Sequence, residues 1–418
     1  MFKIIGKIKS CLSNKDSLIY KAFLAPVIKV EDSKNYRLFG KYLYINSSNI
    51  KKTFEYAIYI DNEDVSSLLQ LEKWFINSFF DKNNTIIIVR KYSKNILEII
   101  EYLEQNGYSF YIYTVLKNID ISSFKIKFIF YLFNSYTNPV LVKNRAFKHI
   151  WIGHGESDKL ASVNPMIKIY DYIFVAGDIA IKRLQIYNII NRCDIYNGKV
   201  IKIGMPYLKK EEMKKKSIND ICDIKNILYA PTWEGVENEQ EYSSLKNNFG
   251  LKILKQLIQI NNNLKISFKP HPSTGIKKPE YISYVNAIKE EFSGITIYLD
   301  KYSFLYSKLK DKTMIVNDFN GYTNYDLIIT DNSSIISLLV YHKLNYIVLV
   351  NKNSYDVETL PLLSISTLIN DNVKDIDITH SIKKELISDK MKRFSQVVAQ
   401  CNKKVQEIIS KKGIDANL

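Results

Sequence analysis

The sequence predicts an α/β protein with two parallel-sheet domains and a helical C-terminal tail. Most β-rich runs are continuous apolar stretches, which is typical of strands covered on both faces in a parallel sheet. Helix-like runs alternate with these strands along most of the 418 residues, as in layered α/β folds. A charge-dense stretch, Lys209–Lys216, follows Pro206 and precedes a new strand at Asn226. This break indicates a linker between two domains.

The predicted elements follow one another in regular alternation. Thirteen strands are predicted, at Tyr56–Ile60, Thr85–Val89, Phe110–Val115, Lys127–Phe133, His149–Ile152, Tyr172–Val175, Val200–Ile203, Asn226–Tyr229, Leu264–Phe268, Ile295–Leu299, Thr313–Val316, Asp326–Thr330 and Tyr346–Val350. The clearest helical patterns are Ser66–Phe80, Ser93–Gln105, Asp178–Ile189, Leu245–Ile260 and Tyr281–Phe292. The predicted division is a first domain over residues 1–207, a second over 208–380 and a C-terminal helix over 381–418. That last segment either packs on the body or crosses back to the first domain.

Composition excludes several classes of protein. With 46% hydrophobic and 13% aromatic residues, the chain is not predominantly disordered. Its four cysteines (Cys11, Cys193, Cys222 and Cys401) are far apart, which excludes a disulfide scaffold or a cysteine zinc ribbon and fits a reducing cytoplasm. The formal net charge of +16 favours anionic partners. A genome rich in A/T codons is the alternative source of the lysine excess, and both explanations stay open.

The apolar runs are too short to span a bilayer, since none approaches the roughly 18 residues that a transmembrane helix needs. The first thirty residues mix lysines with Phe2, Ile4, Ile5 and Ile8. Such a segment can lie on an anionic membrane surface. A plain helix packed on the protein body is the favoured alternative. The expected location is cytoplasmic, including peripheral attachment to the inner face of the cell membrane.

Polar clusters follow four of the predicted strands. They are Gly153–Lys159, Ala230–Gly235, Lys269–Ser273 and Asp331–Ser334. In open parallel sheets, ligands bind at the carboxyl ends of the strands. The repeated pattern therefore predicts a single site assembled from all four clusters.

The first cluster contains a candidate general base, His154. Glycines on both sides let the backbone turn tightly and expose the imidazole. A neutral imidazole is suited to removing a proton from a hydroxyl near neutral pH. Glu156 or Asp158 is the group expected to orient the ring. The alternative is a histidine whose hydrogen bonds are simply satisfied within a turn.

The clusters in the second half have the chemistry of an anion site. His271 lies between two prolines that stiffen its loop, and together with Lys269 it can meet a phosphate; an incidental histidine in a rigid strand exit is the alternative. Asp331-Asn332-Ser333-Ser334 opens a helical run, so these residues either cap the helix or bind an anion at its N-terminus. Trp233 either stacks on a base or, as we favour, packs at a hinge.

Other chemistries lack their motifs. The sequence contains no P-loop, no dinucleotide fingerprint, no HExxH or CxxC metal spacing and no GxSxG elbow. No nucleic-acid motif is present either. No cofactor or metal is therefore expected, although the sequence leaves a requirement for a divalent ion open.

Six segments in order resemble one family. They are Trp-Ile-Gly-His-Gly-Glu-Ser-Asp-Lys (151–159), Tyr-Asp-Tyr-Ile-Phe-Val-Ala-Gly (170–177), Ile-Gly-Met-Pro (203–206), Leu-Tyr-Ala-Pro-Thr-Trp-Glu (228–234), Lys-Pro-His-Pro (269–272) and Asp-Leu-Ile-Ile-Thr-Asp-Asn-Ser-Ser (326–334). This series resembles the CDP-glycerol:poly(glycerophosphate) glycerophosphotransferase family, which makes wall teichoic acid and includes capsule polymerases. The resemblance covers about residues 145–350.

The resemblance implies a GT-B-like fold, in which two Rossmann-like domains face each other across a cleft. It implies that a phosphoalcohol moves from a CDP-linked donor to a lipid-linked or polysaccharide acceptor. His154 matches the proposed base, His271 the histidine near the donor phosphates, and Ser333 and Ser334 the pair that binds the diphosphate. Thr232, Glu234, Lys269 and Asn332 complete the expected donor-binding set. Gly155, Glu156, Ser157, Asp158 and Lys159 form the expected acceptor-side loop.

Two departures from the family pattern favour a capsule or other surface-polymer branch. Glu156 stands near the position where teichoic acid polymerases commonly have threonine, and Glu234 stands where they commonly have arginine. Two further hypotheses stay open. One is a sugar-nucleotide glycosyltransferase on the same scaffold, and the other is a non-catalytic basic protein that binds nucleic acid or lipid headgroups.

Overall fold

A computed structural model of the chain describes residues 27–29, 36–38, 41–43, 53–61, 66–90, 96–113, 121, 124–208, 218, 220–235, 241–301, 303–317, 319, 321–351, 360–371, 378–400 and 403–414. The fold is α/β and GT-B-like. It contains two large twisted sheets, one before residue 203 and one after residue 225, each covered by helices.

The first sheet has eight strands in the order β1-β6-β5-β4-β7-β8-β9-β10. Its strands are β1 (Val27–Lys29), β4 (Tyr56–Ile60), β5 (Thr85–Arg90), β6 (Ser109–Tyr113), β7 (Phe128–Tyr131), β8 (Lys148–Trp151), β9 (Tyr172–Val175) and β10 (Val200–Lys202), while β2 (Tyr36–Leu38) and β3 (Lys41–Leu43) form a separate hairpin. Neighbouring strands of the sheet are parallel, apart from the pair of β1 and β6.

The second sheet has seven parallel strands in the order β14-β13-β12-β11-β15-β16-β17. They are β11 (Asn226–Ala230), β12 (Lys265–Phe268), β13 (Thr296–Tyr298), β14 (Ile315–Val316), β15 (Leu327–Thr330), β16 (Tyr346–Val350) and β17 (Leu368–Asn370). The orders β6-β5-β4-β7-β8 and β13-β12-β11-β15-β16 are the same Rossmann-type 3-2-1-4-5 arrangement. The order reverses between β4 and β7 and between β11 and β15, and ligands bind beside such switch points.

Twelve α-helices cover the two sheets within the described residues. They are α1 (Ser66–Ile76), α2 (Ile96–Gln105), α3 (Asn138–Val142), α4 (Asp178–Ile186), α5 (Arg192–Tyr196), α6 (Phe249–Ile260), α7 (Tyr281–Glu291), α8 (Phe304–Lys308), α9 (Ile335–Tyr341), α10 (Ile378–Leu386), α11 (Lys390–Val397) and α12 (Val405–Lys411). Each sheet carries a separate apolar core on each face. Along β4, for example, Ile58 faces one core and Tyr59 the other, so the strand is apolar at successive positions.

The thirteen predicted strands and five predicted helices are confirmed, with shifts at some ends. Strands β1, β2, β3 and β17, of three residues each, were not predicted. The predicted division at residues 207 and 208 lies between the two sheets and stays a proposal. The lysine-rich N-terminal segment before residue 27, the charged stretch 209–216, Cys11 and Cys401 lie outside the described residues.

The C-terminal tail is three short helices, and not the single helix predicted. The helical conformation is interrupted between α10 and α11. Asp389 then caps the N-terminus of α11 by accepting a hydrogen bond from the backbone N–H of Lys392. The tail crosses back to the first half of the chain, where Ala399 N–H donates to Ala176 O at 2.8 Å. Val405 and Ile408 of α12 then pack into a core of the first sheet.

In the described part of the chain, no helix is both long enough and apolar enough to cross a bilayer.

Candidate active site

His154 is held by a tight turn after β8. Gly153 has φ +65°, a left-handed conformation that glycine adopts at little cost. The ring packs against that of Phe133 in a tilted arrangement with centroids 4.8 Å apart, and Nδ1 lies 3.0 Å from the carbonyl oxygen of Leu132. A carbonyl oxygen only accepts, so Nδ1 carries the proton and Nε2 of the neutral ring has a lone pair. Leu132, and neither Glu156 nor Asp158 as predicted, is therefore the residue that orients His154.

His271 is held in the opposite tautomer. Its Nδ1 accepts a hydrogen bond of 3.1 Å from the backbone N–H of Ser273, so Nε2 of the neutral ring carries the proton. Trp233 stacks on the imidazole at 5.8 Å with an interplanar angle of 17°. Trp233 therefore positions His271, which is a contact that neither sequence-based alternative for this tryptophan included.

The cleft keeps both histidines neutral at pH 7. Desolvation by the surrounding protein, with a contribution from the positive charge of Lys73, lowers the pKa of His154, although its ring remains accessible to solvent. Desolvation lowers the pKa of His271 to about 3, and the charges of Lys159 and Lys269 act in the same direction. A neutral His154 can accept a proton and a neutral His271 can donate a hydrogen bond.

The Asp331–Ser334 segment follows β15 at the switch point of the second sheet. Asp331 is buried, and its carboxylate accepts hydrogen bonds from Thr232 N–H at 2.8 Å, Ser244 N–H at 2.8 Å and Ser244 Oγ at 2.9 Å. Burial raises the pKa of Asp331 to about 6. Asp331 thus fastens the exits of β11 and β15 to each other, a structural function that the sequence analysis did not assign.

Asn332 and the two serines have the features of a binding surface. The side chain of Asn332 is fully buried, and neither its Oδ1 nor its Nδ2 has a hydrogen-bond partner in the described part of the chain. Ser333 Oγ accepts only a long bond of 3.4 Å from Ile335 N–H, and Ser334 makes no side-chain cap. Buried polar groups are rarely left unpaired in folded proteins. Capping therefore accounts poorly for these three residues.

The predicted acceptor-side loop crosses to the second half of the chain. A β-carbon on Gly155 would lie 3.7 Å from Cβ of Ser334, and Ser337 Oγ donates to Glu156 O at 3.0 Å. Asp158 Oδ2 accepts from the backbone N–H of Leu362 at 2.7 Å and of Leu363 at 3.2 Å. This loop is therefore the seam between the two halves.

Arg183 of α4 fixes the loop from the first half. Its buried guanidinium pairs with Glu156 and, at 3.3 Å, with Asp158. Ser157 is also buried and shares a hydrogen bond of 2.9 Å with Ser162. The polar side-chain atoms of Glu156, Ser157 and Asp158 are thus engaged by protein groups, so other atoms would have to contact the acceptor.

Two residues predicted to bind the donor, Thr232 and Glu234, are engaged by other groups of the protein. Lys159 Nζ donates to Thr232 Oγ1 at 2.5 Å, which joins the first-half loop to the exit of β11. Glu234 accepts hydrogen bonds from the backbone N–H groups of Gly275, Lys277 and Lys278, at 3.0, 2.9 and 3.2 Å. Glu234 therefore braces the segment after His271, and a direct contact with the donor remains a prediction.

One lysine that was not identified from the sequence acts electrostatically on a residue from each half of the chain. The positive charge of Lys73, on α1, lowers the pKa of both His154 and Lys269. Desolvation is the larger cause for Lys269, whose Nζ also lies 5.3 Å from the centroid of the Phe319 ring. Lys73 is one of 59 basic residues and lies in no recognisable motif, so nothing in the sequence marked it.

Comparisons with known proteins give structural similarity only. The sequence matches no protein-family model and no curated protein. Among solved structures, the chain is similar to a structure of the wall teichoic acid polymerase TagF with CDPG, at 12% identity and a TM-score of 0.45 over 88% of this chain and 90% of that one. It is also similar to HepE of Anabaena in complex with UDP and glucose, at 9% identity and a TM-score of 0.42 over 86% of this chain and 98% of that one. A third similar structure is a glycosyltransferase from Rickettsia africae, at 12% identity and a TM-score of 0.42 over 87% of this chain and 97% of that one.

Proposed function

We propose that the protein is a transferase that moves a phosphoalcohol, such as glycerol phosphate, from a CDP-linked donor to a hydroxyl of a surface-polymer acceptor. The observation that carries the proposal is a pair of histidines, one from each half of the chain, that backbone groups hold in opposite neutral tautomers. The family resemblance of residues 151–334 supports the choice of donor.

In this mechanism His154 is the general base. Its Nδ1–H is fixed by Leu132 O, which leaves Nε2 to accept the proton of the acceptor hydroxyl. The acceptor oxygen then attacks the β-phosphorus of the donor. The bond between that phosphorus and the oxygen bridging to the α-phosphate breaks, and CMP leaves with the electron pair. Phosphoryl transfer of this kind depends mainly on positioning and on stabilisation of charge.

The second half of the chain bears the diphosphate in this proposal. His271 offers a neutral Nε2–H, Lys269 supplies positive charge, and Ser333 and Ser334 supply hydroxyls. Asn332 adds an amide whose hydrogen bonds are unsatisfied in the described structure. Hydrogen bonds between such groups and a charged oxygen are about twice as strong as bonds between neutral groups. The mechanism requires no cofactor, and activity assayed in EDTA tests whether a divalent ion takes part.

The second candidate reaction is glycosyl transfer from a sugar nucleotide on the same scaffold. Phosphoryl transfer spreads negative charge over the equatorial oxygens of the transferred group, and glycosyl transfer places negative charge on the departing diphosphate. Cations such as Lys269 would stabilise either transition state.

The nucleotide product distinguishes the two reactions. CDP-glycerol labelled in its β-phosphate is incubated with the protein, with water as the acceptor for slow hydrolysis. Phosphoryl transfer releases unlabelled CMP and labelled glycerol phosphate. UDP-glucose, tested in parallel, would release UDP if the chain were a glycosyltransferase. Release of a nucleoside diphosphate, or no reaction with any nucleotide donor, would contradict the proposal.

Variants of the two histidines test their roles. We expect His154→Ala and His271→Ala each to lower CMP release by about 100-fold or more, since general acid–base groups contribute factors of this size. His380→Ala is the matched control, because His380 is an exposed histidine of α10. Thermal unfolding would verify that all three variants fold. Activity near that of the unmodified protein in either cleft variant would reject the role of that histidine.

A lipid-linked acceptor would bring the protein to the inner face of the cell membrane, and the basic segment 1–30 is the proposed contact. Sedimentation with vesicles containing phosphatidylglycerol, with and without residues 1–26, tests this contact and leaves β1 of the first sheet in place. We expect pelleting that depends on the segment and weakens with salt, because lysines near an anionic surface contribute roughly 1 kcal/mol each. If the full-length protein does not pellet, membrane attachment through this segment is excluded.

A further inference from the structure

We infer that Lys159, although the first half of the chain carries it, binds the β-phosphate of the donor on the second-half wall of the cleft. The donor site would then be complete only when the two halves are closed on each other. This inference rests on the proposed function, and it moves Lys159 from the acceptor side to the donor side. It also makes a residue of the first sheet a determinant of donor recognition.

The first argument is the position of the ammonium group. Lys159 Nζ contacts Thr232 Oγ1, and Thr232 follows β11 at the switch point of the second sheet. The backbone N–H of Thr232 is bonded in turn to Asp331 at the exit of β15. The lysine therefore ends between the two strands whose carboxyl ends flank the expected ligand crevice.

The second argument is the charge that gathers there. Lys159 and Lys269 both act electrostatically on His271, so two cations from different halves of the chain border one imidazole. Asp331 interacts electrostatically with Lys159, and the oxygens of Asp331 accept three hydrogen bonds from Thr232 and Ser244. A ligand with two phosphates supplies negative charge where these cations converge. A nucleoside monophosphate would lack the phosphate that Lys159 meets.

The third argument is the set of contacts between the two halves that positions Lys159. Its neighbour Asp158 is fully buried and joins Arg183 of the first half to the Leu362 and Leu363 amides of the second. Glu156 O and Ser337 Oγ add a further bond across the same seam. Lys159 is therefore delivered to the second wall by contacts that exist only when the halves are together.

The test compares binding of CDP and CMP by titration calorimetry in the unmodified protein, Lys159→Gln, Lys159→Arg and Lys182→Gln. Lys182 is an exposed lysine of α4 and is the matched control. We expect Lys159→Gln to weaken CDP binding by roughly 10-fold to 100-fold, the factor that corresponds to a hydrogen bond to a charged group. CMP binding should change less than about threefold. Lys159→Arg should retain most of the preference for CDP, and Lys182→Gln should match the unmodified protein.

The outcomes separate the inference from the proposed function. If the unmodified protein binds CDP and Lys159→Gln leaves the ratio of CDP to CMP affinity unchanged, the inference is wrong and the proposed function stands. Equal weakening of both nucleotides also overturns the inference, because it indicates a general disturbance of the site. If the unmodified protein binds neither nucleotide, the proposed function and the inference fail together. Thermal unfolding would show that each variant is folded.

Discussion

His154 and His271 are held in opposite tautomers by single backbone groups. The amide that fixes His271 belongs to Ser273, two residues away, whereas the carbonyl that fixes His154 belongs to Leu132, on another strand exit. Flanking glycines and prolines were enough to mark both histidines in the sequence. The sequence could not predict the partner of His154, because that contact depends on the adjacency of β7 and β8.

The first prediction, at this scale, concerns the pH dependence of donor hydrolysis. The pKa of His154 lies below the ordinary value of 6.5, and a base acts only when deprotonated. We therefore expect kcat/KM, which reports the free enzyme, to be flat near neutral pH and to fall only below pH 6.5. His271, with a pKa of about 3, should contribute no second limb between pH 5 and pH 8. A decline that begins above pH 7 would contradict the role of His154.

The second prediction concerns Lys73. Replacing it in Lys73→Met removes a positive charge that lowers the pKa of His154. The acidic limb of the kcat/KM profile should therefore move to higher pH. Lys182→Met is the control and should leave the position of the limb unchanged. An unshifted limb in Lys73→Met would show that Lys73 does not act on the base.

The loop from Gly153 to Lys159 is the element in which sequence and structure differ most. Its glycines correctly indicated a tight turn, and Gly153 has a positive φ. Its acidic residues were predicted to face the acceptor or His154, but Arg183 pairs with both. Arg183 is 25 or more residues away along the chain and lies on a helix with an ordinary amphipathic pattern. Only the folded arrangement of β9 and α4 brings it to the loop.

The third prediction tests this loop through Arg183→Ala. The change leaves Glu156 and Asp158 buried without their cation, and removal of one member of a buried ion pair typically costs about 3–5 kcal/mol. We expect a loss of this size in the free energy of unfolding, measured by urea denaturation monitored by tryptophan fluorescence. Arg145→Ala is the control, since Arg145 pairs with Asp171 at an exposed position. If both variants lose the same small amount of unfolding free energy, Arg183 does not stabilise the loop through a buried ion pair.

At the scale of the whole molecule, a returning tail contacts both of two sheets that share the order of their central strands. Continuous apolar strands and regular alternation were sufficient to predict the layers, because these patterns follow from burial on both faces. The route of residues 378–414 was left open between two alternatives, and the structure decides for the return to the first half. Short helices with few apolar residues carry no information about the partner on which they pack.

The fourth prediction tests the contact between the tail and the first half. A β-carbon added to Gly177 would lie 2.5 Å from the carbonyl oxygen of Val397, and backbone at this distance cannot yield cheaply. Gly177→Ala should therefore destabilise the protein by about 1–3 kcal/mol, the usual cost of overpacking, as measured by urea denaturation. Gly198→Ala is a control for the loss of glycine, because no atom lies within 4 Å of the added carbon, although its positive φ adds some strain. If Gly177→Ala unfolds no more readily than Gly198→Ala, the backbone of Val397 does not lie against Gly177.

The position of α12 has a consequence for synthesis on the ribosome. One core of the first half is completed by four residues of the tail, Val405, Ile408, Ile409 and Ile414. The first half therefore leaves the ribosome with part of this apolar core exposed to solvent. This apolar surface stays exposed until the second sheet and the tail have been translated. Transiently exposed apolar surface promotes association with other chains. A polypeptide terminated after Val398 should therefore bind an apolar fluorescent dye more strongly than the full chain and should aggregate sooner.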